Sequence, residues 1–172
     1  MKQIILGGGC FWCTEAVFLA VRGVVTVVSG YAGGTSDTAD YETVCTGNTD
    51  HVEVIKVVYD ENIIDLSTIL DIFFATHDPT TPNQQGNDVG TQYASVIFYE
   101  NDDDLAIINH KINQLTSDGI AVVTRVEKAP PFYAAEDYHQ NFFAKNPTQG
   151  YCYVTIPPKL AKLHTKFGKF LK

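Results

Sequence analysis

The chain has 172 residues, of which 45% are hydrophobic and 19% charged, and its formal net charge is −8 at pH 7. This composition is typical of a globular protein, and the negative charge argues against a surface that follows nucleic-acid phosphates. The apolar runs are too short for a membrane helix of about 20 residues, and the first residues lack the apolar region of a signal peptide. The sequence therefore predicts a cytoplasmic protein with one domain over residues 1–172.

Hydrophobic periodicity predicts alternating strands and helices along the chain. The predicted elements, in chain order, are strand 2–6, helix 14–23, strands 24–29 and 51–60, helix 66–77, strand 93–99, helix 102–119, strand 120–128 and helix 134–145. Ser67 is the predicted N-cap of the helix over 66–77. The basic segment 157–172 is predicted to be a surface helix or a frayed end.

The repeated order of strand, helix and strand indicates the fold class. It predicts an α+β fold, a two-layer α/β sandwich with a mixed or antiparallel sheet of the ferredoxin-like type. Three connections, 30–50, 77–92 and 129–153, are longer than most loops of a compact domain, and we interpret them as functional. Their glycines supply turns, and their tyrosines and carboxylates supply chemical groups.

The segment GGGCFWCTEAVF, residues 7–18, lies where the first strand gives way to a helix. Unpaired backbone N–H groups at a helix N-terminus favour an anion, so this position favours the thiolate of Cys10. Phe11 and Trp12 follow directly, and Trp12 is the only tryptophan of the chain. The segment predicts a nucleophilic cysteine beside an apolar pocket suited to a methyl or thioether group.

Cys10 and Cys13 also form a C-x-x-C motif, which fits a thioredoxin-like dithiol or half of a zinc site. Cys45 and Cys152 stand alone in the sequence, so a second ligand pair for zinc is missing. Cys45 is expected to be a buried packing residue. Besides an enzyme that uses Cys10 as a nucleophile beside this pocket, two alternatives remain open at this point. They are a general dithiol oxidoreductase and a non-catalytic module that binds methionine-like side chains.

Five separated blocks, in order from residue 4 to about residue 153, resemble the peptide methionine sulfoxide reductase A family. The blocks are GGGCFWCTE, YETVCTGNTDHVEVIKVVYD, FFATHDPTTPNQQGNDVGTQYASVIF, AEDYHQNFF and NPTQGYC. The resemblance implies reduction of methionine S-sulfoxide, free or in proteins, to methionine. It implies no metal and no organic cofactor, and it makes thioredoxin the expected external dithiol reductant.

The resemblance also implies roles for the cysteines and the aromatic pair. Cys10 matches the family's nucleophile, and Phe11 and Trp12 match its methyl-binding wall. Cys152 matches a resolving cysteine, which would travel on its loop to the sulfenic acid of Cys10. Cys13 replaces the small residue of most relatives and no cysteine follows Cys152, so direct resolution or relay through Cys13 stays open.

Four further residues match the family's catalytic apparatus. Tyr41 and Tyr93 correspond to hydroxyls that hold the sulfoxide oxygen, Glu53 to the acid that protonates it, and Asp88 to a hydrogen-bonding support. A sulfoxide sulfur is a weak electrophile until its oxygen is protonated or hydrogen-bonded. Glu53 can donate a proton near neutral pH only if burial raises its pKa. We therefore expect a buried, hydrogen-bonded Glu53 within reach of Cys10.

Three histidines, His51, His77 and His139, also fall within the matched blocks. Neither the chemistry nor the spacing demands a catalytic role for them. They are expected to be structural hydrogen-bonding residues.

Overall fold

A computed structural model describes all residues from 1 to 172. The strands are β1 (Lys2–Gly8), β2 (Val24–Ala32), β3 (Val52–Tyr59), β4 (Gln84–Gln85), β5 (Asp88–Val89), β6 (Ser95–Tyr99), β7 (Arg125–Lys128) and β8 (Phe132–Ala134). The helices are α1 (Phe11–Leu19), α2 (Tyr41–Val44), α3 (Leu66–Thr76), α4 (Asp102–Ser117), α5 (Phe142–Lys145) and α6 (Gly150–Phe167).

Six strands form one sheet in the order β7-β6-β1-β3-β2-β8. Neighbouring strands are antiparallel except β6 and β7, which are parallel, so the sheet is mixed. Strands β4 and β5 form a separate two-stranded ribbon within the connection after α3. The predicted α+β class and the mixed sheet are confirmed.

Side chains of the central strands alternate between two buried faces. Leu6 and Ile55 join the main core, to which α1, α3, α4 and α6 contribute, whereas Ile5 and Val54 belong to a smaller cluster. Strand β3 lies between β1 and β2 and is covered on both faces. Glu53 has the same parity as Ile55, so the period of two directs its carboxyl to the helix side of the sheet.

Helix α6 decides between the two predicted states of the segment 157–172, a surface helix or a frayed end, and it corrects the predicted position of Cys152 on a loop. It begins at Gly150, capped by the side chain of Gln149, and Leu163 is fully buried, so the segment is not a frayed tail. Cys152 lies in the first turn of this helix and not on a loop. Pro157 and Pro158 stand inside the helix. None of the helices combines the length and apolar character needed to cross a membrane.

Capping residues account for two differences at helix starts. The side chain of Asp65 accepts a hydrogen bond from Thr68 N at 2.8 Å, so Asp65 is the N-cap of α3 and the prediction of Ser67 was wrong. Helix α1 starts three residues before its predicted beginning, with Cys10 as its N-cap. The Cys10 thiol therefore lies at the N-terminus of helix α1.

Two other predictions were wrong because tertiary hydrogen bonds override local patterns. Only the last four residues of the predicted strand 120–128 pair with the sheet, since Val123 N instead donates to Pro79 O. The predicted helix 134–145 is replaced by β8, a short 3₁₀ turn and α5. Asn141 interrupts it with a left-handed backbone, φ 55°, which asparagine adopts more readily than most residues.

Candidate active site

The turn between β1 and α1 places Cys10. Gly9 has φ +95°, and a Cβ on this residue would lie 2.6 Å from Gln85 Cγ, so both conformation and space require glycine here. The carbonyl of Cys10 accepts from Cys13 N at 3.1 Å as the first turn of α1 begins. The Cys10 side chain is half-buried. The strand end and the glycine turn thus fix a partly accessible thiol at the helix N-terminus.

Glu53, on β3, lies at the N-terminus of helix α1. Its side chain is 1% exposed, and Oε1 accepts a hydrogen bond from Phe11 N at 3.1 Å. Burial raises the pKa of Glu53 to about 8, although the Phe11 N–H opposes the shift. Most Glu53 carboxyls therefore carry a proton at pH 7. A neutral acid beside a thiol is an arrangement that can protonate an oxygen bound between them.

Cys10 and Cys13 form one coupled pair. The hydrogen bond with Cys13, burial and the charge of Glu53, in that order, raise the pKa of Cys10 well above its ordinary value, while a backbone hydrogen bond with Trp12 opposes them. The hydrogen bond with Cys10 lowers the pKa of Cys13 against its burial, and Lys159 lowers it further. Both directions favour the thiol form of Cys10 in the free protein.

The aromatic residues beside the thiol differ in exposure. Phe11 is fully buried, whereas Trp12 is half-buried and stacks on Phe142 with ring centroids 3.9 Å apart and planes 7° apart. The indole N–H donates to His139 Nδ1 at 3.0 Å, and the Tyr41 ring lies 6.3 Å from the indole. Trp12 is thus the member of the pair that presents a surface, and Phe11 supports it from the core.

Two tyrosines approach from different connections. Tyr41 opens α2 and Tyr93 ends a 3₁₀ turn before β6; both are half-buried. Burial raises the pKa of both hydroxyls, and the charge of Glu53 acts in the same direction. Both phenols therefore remain hydrogen-bond donors throughout the physiological range. Cys45 hydrogen bonds with Tyr41 and is half-buried, so the expectation of a buried cysteine there was wrong.

Asp88 and Tyr151 form a hydrogen-bonded pair on the other side of the thiols. The Tyr151 hydroxyl donates to Asp88 Oδ2 and lies 3.9 Å from Cys13 Sγ. No role was predicted for Tyr151, because it stands in the NPTQGYC block only as the neighbour of Cys152. The structure joins the β5 carboxylate and the first turn of α6 through this phenol.

Three of the four cysteines lie in one cluster. Cys13, Cys152 and Ile156 are buried together, and Cys10 packs against them from the edge. All four cysteines are free thiols. Burial raises the pKa of Cys152 to about 11. No three His, Cys, Asp or Glu side chains converge as ligands for a metal ion.

Two glutamates that the sequence did not single out hold the connection around α5 against the site. Glu15 is buried and accepts from Asn141 N at 3.0 Å and Phe142 N at 3.2 Å, which fixes the ring stacked on Trp12. Glu136 accepts from Tyr41 N at 3.1 Å. The signal for Glu15 was its place among apolar residues of α1, where a solvated glutamate is not expected.

The histidines of the matched blocks are all buried. His51 Nδ1 accepts from Gly34 N at 3.1 Å, and His77 Nε2 lies 2.8 Å from Ser95 Oγ. These bonds fit the expected structural role. His139 in addition accepts the hydrogen bond from the Trp12 indole N–H and so orients that ring, which was not expected.

A cavity of about 440 Å³ opens on the α6 side of the thiols. Cys10, Cys13, Asp88, Tyr151 and Lys159 are among the residues that line it. Cys10 therefore lies at the edge of this cavity, and Glu53 lies at the same helix N-terminus through its bond to Phe11 N.

Comparisons with known proteins agree with this geometry. Residues 2–170 match the family model described as peptide methionine sulfoxide reductase. The chain is 60% identical over 171 residues to the peptide methionine sulfoxide reductase MsrA of Psychrobacter cryohalolentis, with 99% of each chain covered. The structure is similar to that of reduced Mxr1 from Saccharomyces cerevisiae (TM-score 0.81, 37% identity, 88% of each chain). It is also similar to Mxr1 in complex with Trx2 (TM-score 0.57, 26% identity, 82% of this chain and 84% of that chain).

Proposed function

This chain belongs to the peptide methionine sulfoxide reductase family, and we propose that it reduces the S epimer of methionine sulfoxide, free or in proteins, through Cys10. The observation that carries the proposal is the buried Glu53, with a pKa of about 8, beside the helix that Cys10 caps. A carboxylic acid that is neutral at pH 7 supplies the proton that a sulfoxide oxygen needs. No thiol–disulfide exchange requires such a group.

Substrate binding uses the aromatic side of the thiol. The half-buried Trp12, backed by Phe11, forms the wall for the methyl group, and Glu15 and Phe142 hold its indole in place. The phenols of Tyr41 and Tyr93 donate to the sulfoxide oxygen. Asp88, with its Tyr151 partner, supports the substrate from the α6 side.

The reaction is a transfer of one oxygen atom to sulfur. Glu53 protonates the sulfoxide oxygen, Cys10 loses its proton and attacks the sulfur, and methionine leaves while the oxygen ends on Cys10 as a sulfenic acid. Cys10 is a thiol in the free protein, so its proton must leave as the substrate binds. The net charge of the site does not change when Glu53 donates its proton, because Glu53 can take up the proton that Cys10 loses.

For resolution, the packing supports a relay over direct travel of Cys152. Cys13 lies in the same helical turn as Cys10, with its N–H bonded to the Cys10 carbonyl at 3.1 Å, whereas Cys152 is buried against Cys13 in a helix. We therefore place Cys13 in the first disulfide with Cys10, and Cys152 in a second disulfide with Cys13. The Mxr1–Trx2 complex of a relative supports a thioredoxin as the dithiol protein that reduces the last disulfide.

Three finer points of architecture and location accompany this function. Strands β1, β2, β3 and β6 with α1 and α3 follow the order β-α-β-β-α-β and lie as β6-β1-β3-β2, which supports a ferredoxin-like core. Helices on one face of the sheet support a two-layer arrangement within a single domain. Reduced thiols suit the cytoplasm, where thioredoxin-type reductants operate.

A mass measurement tests the proposed function. The reduced protein is incubated with a methionine sulfoxide peptide and dithiothreitol, and the peptide is expected to lose one oxygen for the S epimer and none for the R epimer. A general dithiol oxidoreductase would instead reduce insulin disulfides and leave the peptide unchanged. A methionine-binding module would bind the peptide without forming product, and either outcome refutes the proposal.

Disulfide mapping tests the relay. After one turnover without reductant and alkylation of free thiols, we expect a Cys10–Cys13 crosslink first and a Cys13–Cys152 crosslink later. In Cys13→Ser the first methionine should form at the normal rate, while disulfide formation slows by about tenfold or more because the paired thiol is lost. Early Cys10–Cys152 crosslinks with Cys13 alkylated in the wild type would contradict the relay.

A further inference from the structure

Lys159 is a half-buried cation on α6 with an incomplete set of partners. Its Nζ donates to Thr76 O at 2.6 Å, and no carboxylate lies within ion-pair distance of it; the three ion pairs of the protein involve other lysines and Arg125. An ammonium group removed from water is costly unless an anion compensates it. A negative charge that forms beside Lys159 would therefore be stabilised by it.

The cavity beside the thiols contains the candidates for that charge. Lys159 is the only cationic side chain among its lining residues, which include Cys10, Cys13 and Asp88. The Asp88 carboxylate is already engaged by the Tyr151 hydroxyl. Of the two thiols, Cys13 is the one that is buried against α6, packed with Cys152 and Ile156, whereas Cys10 lies at the edge of that cluster.

We propose that Lys159 is the counter-charge for Cys13 across the cavity that both residues line, and that it thereby speeds the attack of Cys13 on the oxidised Cys10. This inference rests on the proposed function, because the oxidised form of Cys10 is the sulfenic acid which that reaction produces. Lys159 acts through Cys13 and does not touch the substrate; it is a positioning residue for the electrostatics of the second thiol.

All titratable groups that face Cys13 have to be weighed. They are Cys10 at the start of α1, Glu53 on β3, Asp88 on β5, and Tyr151, Cys152 and Lys159 on α6. Burial and the Asp88 charge raise the pKa of Cys13, whereas Cys10, Lys159 and the Tyr151 hydroxyl lower it. Burial lowers the pKa of Lys159 itself, and the charge of Cys13 acts against that shift. Lys159 is the only positive group among these neighbours.

The step balances without an added oxidant or reductant. The Cys13 thiolate attacks the sulfur of the Cys10 sulfenic acid, an S–S bond forms and the S–O bond breaks. The hydroxide that leaves takes up the proton that Cys13 had released, so the by-product is water. Both oxidation equivalents remain in the Cys10–Cys13 disulfide.

The test compares Lys159→Met, Lys159→Arg and, as a control, Lys162→Met, an exposed lysine of the same helix. Thiolate absorbance at 240 nm in the reduced protein should show the first thiol titration of Lys159→Met shifted upward by about one pH unit. Disulfide formation after one turnover should be about threefold slower at pH 7, since the smaller thiolate fraction is partly offset by higher nucleophilicity. At pH 10 the rates should converge. Lys159→Arg should behave like the wild type, and Lys162→Met should be unchanged.

Four results would overturn the inference. The first three are an unchanged titration in Lys159→Met, a slow disulfide step that persists at pH 10, and an Arg variant as slow as the Met variant, which would indicate a structural role. A raised KM for free methionine sulfoxide with an unchanged disulfide step would also overturn it, since Lys159 would then contact substrate. The methionine released in the first turnover reports separately on the proposed function. If the wild type releases none, that function fails first; if all variants release one equivalent, only the role of Lys159 is at stake.

Discussion

Replacing Cys10 by serine is expected to remove methionine formation altogether, a loss of more than about 10³-fold, because a hydroxyl cannot take over the nucleophilic role of the thiol. The buried cluster around Cys13 and Cys152 should remain packed, since the Cys10 side chain lies at its edge. The measurement is a single turnover without reductant, in which methionine is quantified per mole of protein. The wild type should release one equivalent of methionine for each sulfenic acid that forms on Cys10.

The matched control is Cys152→Ser, which leaves the first chemical step intact. This variant should release its first equivalent of methionine at the normal rate. Further turnover should then require an external thiol that reduces the Cys10–Cys13 disulfide. One equivalent of methionine from Cys10→Ser would mean that Cys13 is the nucleophile. In that case Cys13 would attack the sulfoxide, and Cys10 would be the thiol that resolves the oxidised Cys13.

Glu53→Gln is expected to lower kcat by about 10²–10⁴-fold, the usual contribution of a general acid. Glutamine keeps the acceptor for Phe11 N but has no acidic proton. Because the pKa of Glu53 is about 8, the wild-type rate should fall as pH rises above 8 and the acid is lost. The variant should lack this decline. Turnover close to the wild-type value, or an identical pH profile, would remove Glu53 from the role of acid.

The same variant also separates chemistry from folding. The folded-state pKa of Glu53 lies above the ordinary 4.5, so its favourable contribution to stability is complete below pH 4.5 and is lost as pH rises through about 8. Relative to wild type, the unfolding free energy of Glu53→Gln should therefore increase by about 3 kcal/mol between pH 4 and pH 7. Asp104→Asn, at a buried carboxyl on α4 remote from Cys10, is the control and should keep full turnover.

Much of the site followed from the sequence because it is built on regular elements. The Gly-rich turn before α1 indicated a nucleophile at Cys10, and the β-branched run 51–60 indicated a strand. The strand pattern by itself favours a solvated Glu53, so the role of this residue followed from the family resemblance and from the need for a protonated acid. The central place of β3 in the sheet, which the sequence did not show, is what buries Glu53 on the same face as Ile55.

The rest depended on contacts between segments far apart in sequence. The apolar pattern of 134–145 indicated a helix, but the Glu15 carboxylate binds the backbone of Asn141 and Phe142 and replaces it with a turn. Local sequence propensity does not indicate a hydrogen-bond partner that lies 126 residues away in the chain. Likewise Lys159 read as one member of a basic surface segment, and only the packing of α6 against α1 and α3 brings it to the thiols.

The two prolines within α6 have a consequence for access to Cys152. Proline has no N–H, so the carbonyls of Tyr153 and Val154, four residues before Pro157 and Pro158, lose their helical donors. Both residues are exposed, 65% and 71%, and water can solvate them. The helix is thereby divided into two cooperative units: a short leading one with Cys152, and a trailing one anchored by Leu163. Backbone amides of the leading unit should exchange with deuterium well before those of the trailing unit, and this local opening offers a partner protein the buried sulfur without unfolding the domain.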